Sequence, residues 1–500
     1  MKKIVIKNKI ALLFAIVFGM VSCSDDFLSP EPTEYATSEQ INDLTSQGGT
    51  TVVTLVNSLV AGAYNAMITF QGRHDAFGEM STGFAGDLMT EDVAVNYAHQ
   101  FIYDYQIDNN AAAYARPLNT WNYLYSVVGK CNEVIAMIPP TTEDAALKGV
   151  LGEALALRAY AYLTLAQRFQ QTYVGNEDKP CVPLTLTTND VEETIGTRAT
   201  VKQIYDKLLA DLETSVGLLN GYKRANKTRI DKNVAAGIYA RALMVVEDWA
   251  KAAQYANIAR SGYSLMTQAE VKIDGFNDIA NKEWLWGADI TGETTTMFGS
   301  FFAHVCSYDV GYGESTFMPK MIDAQLYSKF GTNDARKAQF KNPSASVNIN
   351  STVVEENAPS YCNFKFKKVD GWLADYVYMR ASEMYLIEAE ALARQGGKDA
   401  EAYAVMKAFM DNRDPDWSAN HSTVTPEEVF LQKRLELWAE GHIFYDYLRL
   451  KKGVNRDYTG NNHLEKKVIP AGSWKFIYQL PQGEIDNNVE LTENDQNPLQ

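Results

Sequence analysis

Little in this 500-residue chain points to catalysis. Histidine occurs six times and never at i, i+4 spacing. No HExxH, GxSxG, Walker A or GxGxxG sequence occurs, so the familiar marks of metal-assisted hydrolysis, acyl transfer and nucleotide binding are missing. Cysteine occurs five times, with no CxxC pair and no metal-ligand spacing to the histidines. Basic residues are outnumbered, 46 Lys and Arg against 62 Asp and Glu, for a formal net charge of −16. Loss of the four lysines of residues 1–22 would take this to −16 − 4 = −20. So acidic a chain argues against nucleic acid or anionic lipid as partners, because both select for basic patches. Beyond residue 21 no run of about 18 apolar residues occurs, so nothing further along reads as a membrane span.

What is present begins at the N-terminus. Lys2, Lys3, Lys7 and Lys9 precede an apolar run of 12 residues, 10–21. That is too short to cross a bilayer, and the charge-then-apolar order is that of a secretory signal. The run ends at Met20, Val21 and Ser22, directly before Cys23. This resembles the lipobox of bacterial lipoproteins, in which the signal is cut before the cysteine and the thiol carries a diacylglycerol. Ser24, Asp25 and Asp26 resemble the acidic signal that sends Bacteroidetes lipoproteins to the cell surface. The competing reading is a secreted chain with an incidental cysteine. The expected organisation is a lipoprotein signal peptide over 1–22, then the lipidated Cys23 and a flexible tether to residue 45, rich in Ser, Pro, Asp, Glu and Thr. Cys131, Cys181, Cys306 and Cys362 remain, and the sequence leaves open whether they pair or stay as buried thiols.

From residue 54 the apolar spacing turns helical. Stretches 54–67, 120–139, 147–170 and 201–219 read as helices. In the second, Trp121, Tyr125, Val128, Cys131, Val134 and Ile135 share one stripe. The third is dense in Ala and Leu, the composition of a helix packed on several sides. Stretches 233–246 and 250–265, joined by a short turn, read as a helical hairpin. The pattern returns in 379–396, 400–413 and 426–453. Such pairs, with Ala, Tyr and Leu at the contact positions, resemble tetratricopeptide hairpins, although no strict period holds. Residues 271–371 differ, being rich in Gly, Thr, Ser, Asn and aromatics. The expected fold is mainly α: tetratricopeptide-like hairpins forming a scaffold over 46–270 and 372–456, with little β structure. An irregular, loop-rich, ligand-facing lobe over 271–371 and a C-terminal extension over 457–500 complete it.

Glu440, His442 and Asp446 stand close together in "AEGHIFYD", which suggests acid–base work. On a helix, however, Glu440 and His442 point to different faces, and Arg434 and Arg449 offer ion partners, so a structural network is favoured. No catalytic residue, cofactor or metal site is expected. A glycoside hydrolase would need a carboxylate pair about 5 to 9 Å apart in a cleft, and no hydrolase motif supports one. Binding asks for other residues: flat rings beside amides and carboxylates, which suit the C–H faces and hydroxyls of sugars. Two stretches qualify. Residues 96–110, read as a non-helical connection, offer Asn96, Tyr97, Phe101 and Tyr103. Residues 294–317 offer Phe298, Phe301, Phe302, Tyr308 and Tyr312. The competing reading is that these rings fill the core of the irregular lobe. Trp284 and Trp286 alternate as in a strand and are expected in the core, while Trp121, Tyr125 and Tyr160 belong to helix interfaces.

Several segments, in order, resemble the SusD/RagB family of Bacteroidetes outer-membrane lipoproteins. They include "DDFLSPEP" after Cys23, then "AGAYNAM", "GDLMTEDV", "WNYLYSVVGKCNEVIAMIP" and "GEALALRAYAYLTL". "NKEWLWGADI", "YMRASEMYLIEAEALARQGG", "LELWAEGHIFYDYLRL" and a terminal "DQNP" follow. The chain departs from the family pattern at Gln432, Ile443 and Leu450, which puts a buried polar network around Glu436, Glu440, Asp446 and Arg449 in doubt. The resemblance implies a non-enzymatic, cell-surface lipoprotein that captures oligosaccharides and serves as lid to a SusC-like TonB-dependent β-barrel. It would sit at the outer membrane through the lipid on Cys23, facing the cell exterior, with no nucleic acid partner. The alternatives are a peptide-binding, RagB-like lipoprotein of the same transporter type, or a tetratricopeptide scaffold with no small ligand of its own.

Overall fold

The computed structural model describes residues 50–187, 195–308, 310–343 and 357–499. The signal segment, Cys23 and the tether lie outside the described residues, as does 344–356 of the irregular lobe. Residues 1–55 form a unit of their own, represented only by the first residues of helix α1 (Thr50–Ala66); the rest of this description concerns residues 56–499.

Helices dominate. After α1 come α2 (Glu79–Met89), α3 (Ala115–Met137), α4 (Ala145–Phe169), α5 (Val201–Leu218), α6 (Lys232–Val245) and α7 (Trp249–Arg260). Beyond the irregular region follow α8 (Ala381–Ala393), α9 (Asp399–Met410), α10 (Pro426–Glu436) and α11 (Ile443–Arg449). Side-chain caps fix where several begin. Asp144 accepts from the N–H groups of Ala146 and Leu147, and Thr200 with Gln203 forms a capping box. Asp231, Asp248 and Thr425 cap α6, α7 and α10. Each helix then packs on the next: α3 on α4, α4 on α5, and so on to α8, which carries both α9 and α10. Every residue of α4 from Gly149 to Phe169 is buried, as a helix without a polar face demands. The expectation of a mainly α, tetratricopeptide-like fold agrees with this array.

Strands are short: β1 (Val93–Val95), β2 (Pro180–Leu184), β3 (Ile195–Thr200), β4 (Trp284–Ala288), β5 (Lys320–Ile322), β6 (Tyr376–Arg380), β7 (Val454–Asn455) and β8 (Val468–Ile469). They pair antiparallel as β1–β5, β2–β3, β4–β6 and β7–β8. Trp284 and Trp286 lie on β4 and are fully buried, as their alternation predicts. The four cysteines of the described residues are free and buried.

Three local expectations are corrected. Stretch 379–396 opens as strand β6, drawn into pairing with β4, before the helix starts at Ala381. Residues 96–110 are not wholly irregular, since Ile102–Tyr105 form one helical turn. Stretch 426–453 is not one helix. It breaks between α10 and α11, where Ala439 and Gly441 take φ of 58° and 87°. Gly441 lies against Gly83 of α2, so near that a β-carbon on it would sit 2.9 Å from the Gly83 α-carbon. The Asp87 carboxylate accepts the N–H groups of Gly441 and Ile443 at 2.7 and 3.1 Å, satisfying donors that the broken helix leaves free.

Candidate functional site: an exposed aromatic surface

Thr296 Oγ1 donates to the Gly299 carbonyl at 2.5 Å, and Ser300 Oγ donates to that of Met297 at 2.6 Å. These bonds close a tight turn that holds Phe298 outward, 37 % exposed. Other segments bring rings to it. Trp372, from the loop before β6, has its ring 5.4 Å from Phe298, and Tyr312 lies 6.0 Å away on the other side. The Tyr312 hydroxyl and His74 Nδ1 share a hydrogen bond of 2.6 Å. Phe70, 38 % exposed, lies 6.3 Å from the His74 ring and packs over Gly299, where a β-carbon would fall 2.5 Å from it. Polar groups rim the patch: Thr295 Oγ1 donates to the Trp372 carbonyl at 2.9 Å, and the Lys368 ammonium stands 4.6 Å over the Trp372 ring. The result is a half-exposed aromatic surface with an ammonium donor and a hydroxyl acceptor at its edge.

A rigid floor supports it. His304 lies parallel to Tyr312 at 5.0 Å, and its Nε2 contacts the His74 carbonyl at 2.8 Å. Burial drives the His304 imidazole down to about 3, with Lys320 adding to the effect, so the ring is neutral. Phe101 meets His304 edge-on at 4.8 Å and Phe84 at 5.2 Å, and Phe301 meets Phe84 at 5.5 Å. Arg116 ties the floor together. It donates to Asp104 at 2.9 Å and to the Asp75 carbonyl at 2.7 Å, with its guanidinium 5.0 Å over the Phe101 ring.

The residues singled out from sequence therefore separate. Phe298 and Tyr312 belong to the surface. Phe101, Phe301 and Phe302 are at most 2 % exposed, so the expectation that they touch ligand is corrected: Phe301 and Phe302 pack on each other at 5.4 Å, Phe101 packs on Phe84 and His304, and none of the three lies at the surface. Tyr308 turns away, donating to the Phe364 carbonyl at 3.2 Å with its ring 5.2 Å from that of Phe364. Asn96, Tyr97 and Tyr103 are exposed, both tyrosines at 60 %, and no ring packs on them among the described residues. Sequence reasoning missed Phe70, His74 and Trp372. Each stands within two residues of Gly or Asp in a non-periodic stretch, "TFQGRHD" or "VDGWLAD", a signal like the one that singled out 294–317.

Glu440, His442 and Asp446 do not form a catalytic set. The helix break delivers Glu440 into a buried ion cluster, 2.5 Å from Lys365 Nζ and 2.7 Å from Arg380. Burial alone would raise its carboxyl, but Arg380 and Lys365 outweigh that and hold it below the usual range. Burial pushes His442 down to about 4, leaving it neutral. Asp446 pairs with Arg449 at 2.6 Å, whereas Arg434 turns to Asp92 at 2.5 Å. The departures from the family pattern leave the network standing. Gln432 accepts from Arg336 at 2.5 Å, and Ile443 packs in the core beside Met89 and Leu437. No group of three or more His, Cys, Asp or Glu among the described residues is placed to hold a metal ion.

A stacked-helix scaffold that displays an aromatic, polar-rimmed surface is the build of a carbohydrate-binding protein. Residues 39–244 match a family model described as starch-binding, associating with the outer membrane, and residues 290–499 match the model of the SusD family. The chain belongs to the SusD family. A search of curated protein sequences gives no significant match. Among solved structures, a SusD-like carbohydrate-binding protein from Bacteroides vulgatus is 24 % identical, with a TM-score of 0.73 over 89 % of this chain and 98 % of that one. A SusD superfamily protein from Bacteroides thetaiotaomicron is 21 % identical, with a TM-score of 0.73 over 89 % and 100 %. A laminarin-binding SusD-like protein is 16 % identical, with a TM-score of 0.63 over 89 % and 99 %. At these identities the likeness concerns the fold.

Proposed function

We propose that this chain captures oligosaccharides on the surface formed by Phe70, His74, Phe298, Tyr312 and Trp372, and delivers them to a SusC-like TonB-dependent β-barrel as its lid. One observation carries the reading: four rings from three distant segments gather about an outward-held Phe298, with Thr295 and Lys368 at their edge. Flat apolar faces gain from covering the C–H face of a sugar, while polar groups at the edge orient its hydroxyls. Asn96, Tyr97 and Tyr103 serve as outlying contacts for a longer chain.

The lobe of 271–371, joined by Phe70, His74 and Trp372 from the adjoining scaffold segments, faces ligand, and the rest of the helical scaffold of 46–270 and 372–456 faces the barrel. Lipidation of Cys23 anchors the protein on the outside of the outer membrane, and the tether keeps it at high effective concentration near the barrel. The chain itself is not an enzyme. It binds, holds and releases.

Calorimetric titration of the purified full chain with a panel of oligosaccharides, laminarin fragments among them, and short peptides tests the reading. Binding of a glycan that weakens about tenfold or more in Phe298→Ala and in Trp372→Ala is expected, the loss of one covered aromatic face. Peptide binding with every glycan silent would move the protein to the RagB-like reading. Glycan binding indifferent to both changes would place the site elsewhere.

A further inference from the structure

A second cleft, of about 420 Å³, opens where the end of α11 meets the segment after β8 and the turn that follows α4. Gln171 and Asn176 come from that turn, Lys451 and Lys452 from the end of α11, and Trp474 and Phe476 from the last segment. None of these residues belongs to the aromatic surface. No acidic residue lines the cleft, in a chain with net charge −16.

Helix α11 ends in a Schellman arrangement. The N–H of Lys452 donates to the Tyr447 carbonyl at 2.8 Å, and that of Lys451 to the Leu448 carbonyl at 3.1 Å. This puts Lys451 at the left-handed position after the cap, with φ of 49°. Glycine is the residue that fits there without cost, and a lysine with a β-carbon is less stable by about 1 kcal/mol. The helix is therefore better closed by a residue other than the one it has. What lysine adds is an ammonium. Its Nζ reaches across the cleft mouth to within 3.9 Å of where a β-carbon on Gly175 would lie. Lys451 forms no ion pair with any described residue. The nearby Glu177 carboxyl is held low chiefly by backbone N–H groups of its own turn, and by Lys451 least. Lys452 stands 5.0 Å over the Phe430 ring. Glu91 and Glu427 line the neighbouring pocket with Lys452 and Phe430; Glu91 is already engaged by Arg434 at 3.1 Å and by the Asn455 N–H at 2.9 Å, and Lys452 forms no ion pair with any described residue.

We infer that this cleft is a second carbohydrate site, selective for sugars that carry a carboxylate, the uronate class. The ammonium groups of Lys451 and Lys452, in no ion pair among the described residues, supply the charge, and the half-buried Trp474 supplies an apolar edge for the ring. Gln171 and Asn176, whose amide nitrogens donate to the Gly472 and Thr172 carbonyls at 3.2 and 2.9 Å, supply amide oxygens that accept from hydroxyls. The volume suits one or two pyranose rings, at the small end of the range for ligand sites. The local charge of the cleft thus opposes the repulsion that so acidic a chain would otherwise exert on acidic glycans.

The test titrates the purified full chain with trigalacturonate, neutral galactotriose and inorganic phosphate at physiological ionic strength. Saturable binding of trigalacturonate alone is expected, weakened about tenfold in Lys452→Ala, the loss of one charge-assisted contact. Lys451→Gly is the decisive variant. Glycine suits the left-handed position, so its melting temperature should rise while trigalacturonate affinity falls, which excludes unfolding as the cause. Phe298→Ala should leave this binding unchanged. Equal binding of galactotriose, or of phosphate alone, overturns the uronate assignment. Wild-type binding by both lysine variants, or loss in Phe298→Ala only, overturns the site, and neither result touches the proposal for the aromatic surface.

Discussion

Beneath the aromatic surface, His99, His304 and Lys320 are buried and form no ion pair among the described residues. Around Glu436, by contrast, Arg336, Lys365, Arg380 and Arg413 meet Asp334, Glu283, Glu436 and Glu440, four cations against four carboxylates, all at most 3 % exposed. Both regions are dry, and burial penalises charge in each. In the second the partners outweigh that penalty at Glu436, where Arg413, Arg380 and Arg336 together hold the carboxyl well below the usual range, although burial still raises the Glu283 carboxyl and lowers the Lys365 ammonium. In the first there is nothing to outweigh it. Burial takes Lys320 down to about 7 and His304 to about 3, and holds His99 low as well. Where a buried charge is paired, as at Glu436 or in the Arg116–Asp104 pair of the floor, it is kept, and where it is unpaired, as at His304, it is given up. The cluster around Glu436 joins segments far apart in sequence, whereas the neutral His304 lets rings stack directly under the exposed surface.

Breaking the paired side should cost most. Arg413→Ala removes the strongest cationic partner of Glu283 and Glu436, which it contacts at 2.8 and 2.9 Å, and should lower unfolding free energy by about 3–5 kcal/mol in a denaturant titration. A loss under about 1 kcal/mol would mean that solvent reaches the cluster and screens it.

The neutral side should show itself through pH. An unfolded histidine takes a proton below about 6.5, whereas folded His304 stays neutral until about 3. Stability is therefore lost as pH falls through that window, by up to about 1.4 kcal/mol per unit for this one group. His304→Phe retains a ring under Tyr312 and removes the proton site, so its stability should fall less steeply than wild type between pH 6 and 4, where the two profiles are compared. Parallel profiles would show that the His304 ring is protonated in the folded protein.

The smallest effect belongs to the surface. Tyr97→Ala should leave stability unchanged within about 0.5 kcal/mol, because an exposed ring with no packing partner contributes nothing to the core. Any change it makes would then appear in ligand affinity alone. A larger loss of stability would show that Tyr97 packs in the folded chain.

Much of the scaffold was legible in the chain itself. Trp121 and Tyr125 fall on one helical stripe and pack together at 4.6 Å, and the unbroken Ala and Leu pattern of 147–170 becomes the wholly buried α4. These readings succeed because a helix or strand imposes its period locally, and burial of one face follows from that period. The end of the 426–453 stretch was less legible. Its helical pattern continues through Gly441, and only the approach of Gly83 requires the break.

The candidate site divides in the same way. Sequence composition marked the aromatic, Gly- and Ser-rich stretches as unusual, but Phe298 and Phe301 stand three apart in one such stretch and end on opposite sides of the surface. Whether a ring is floor or platform depends on what packs against it, and for Phe301 those partners are Phe84, Phe366 and Tyr376. Phe70, His74 and Trp372 join Phe298 from as far as about 230 residues away in sequence, a distance that no local pattern spans. The sequence by itself determined the helices, their order, the acidic balance and the family. Only the tertiary structure decided which rings face water, which buried charges have partners, and where two lysines stand without them. Periodicity is a property of neighbours along the chain, whereas exposure and pairing are properties of neighbours in space.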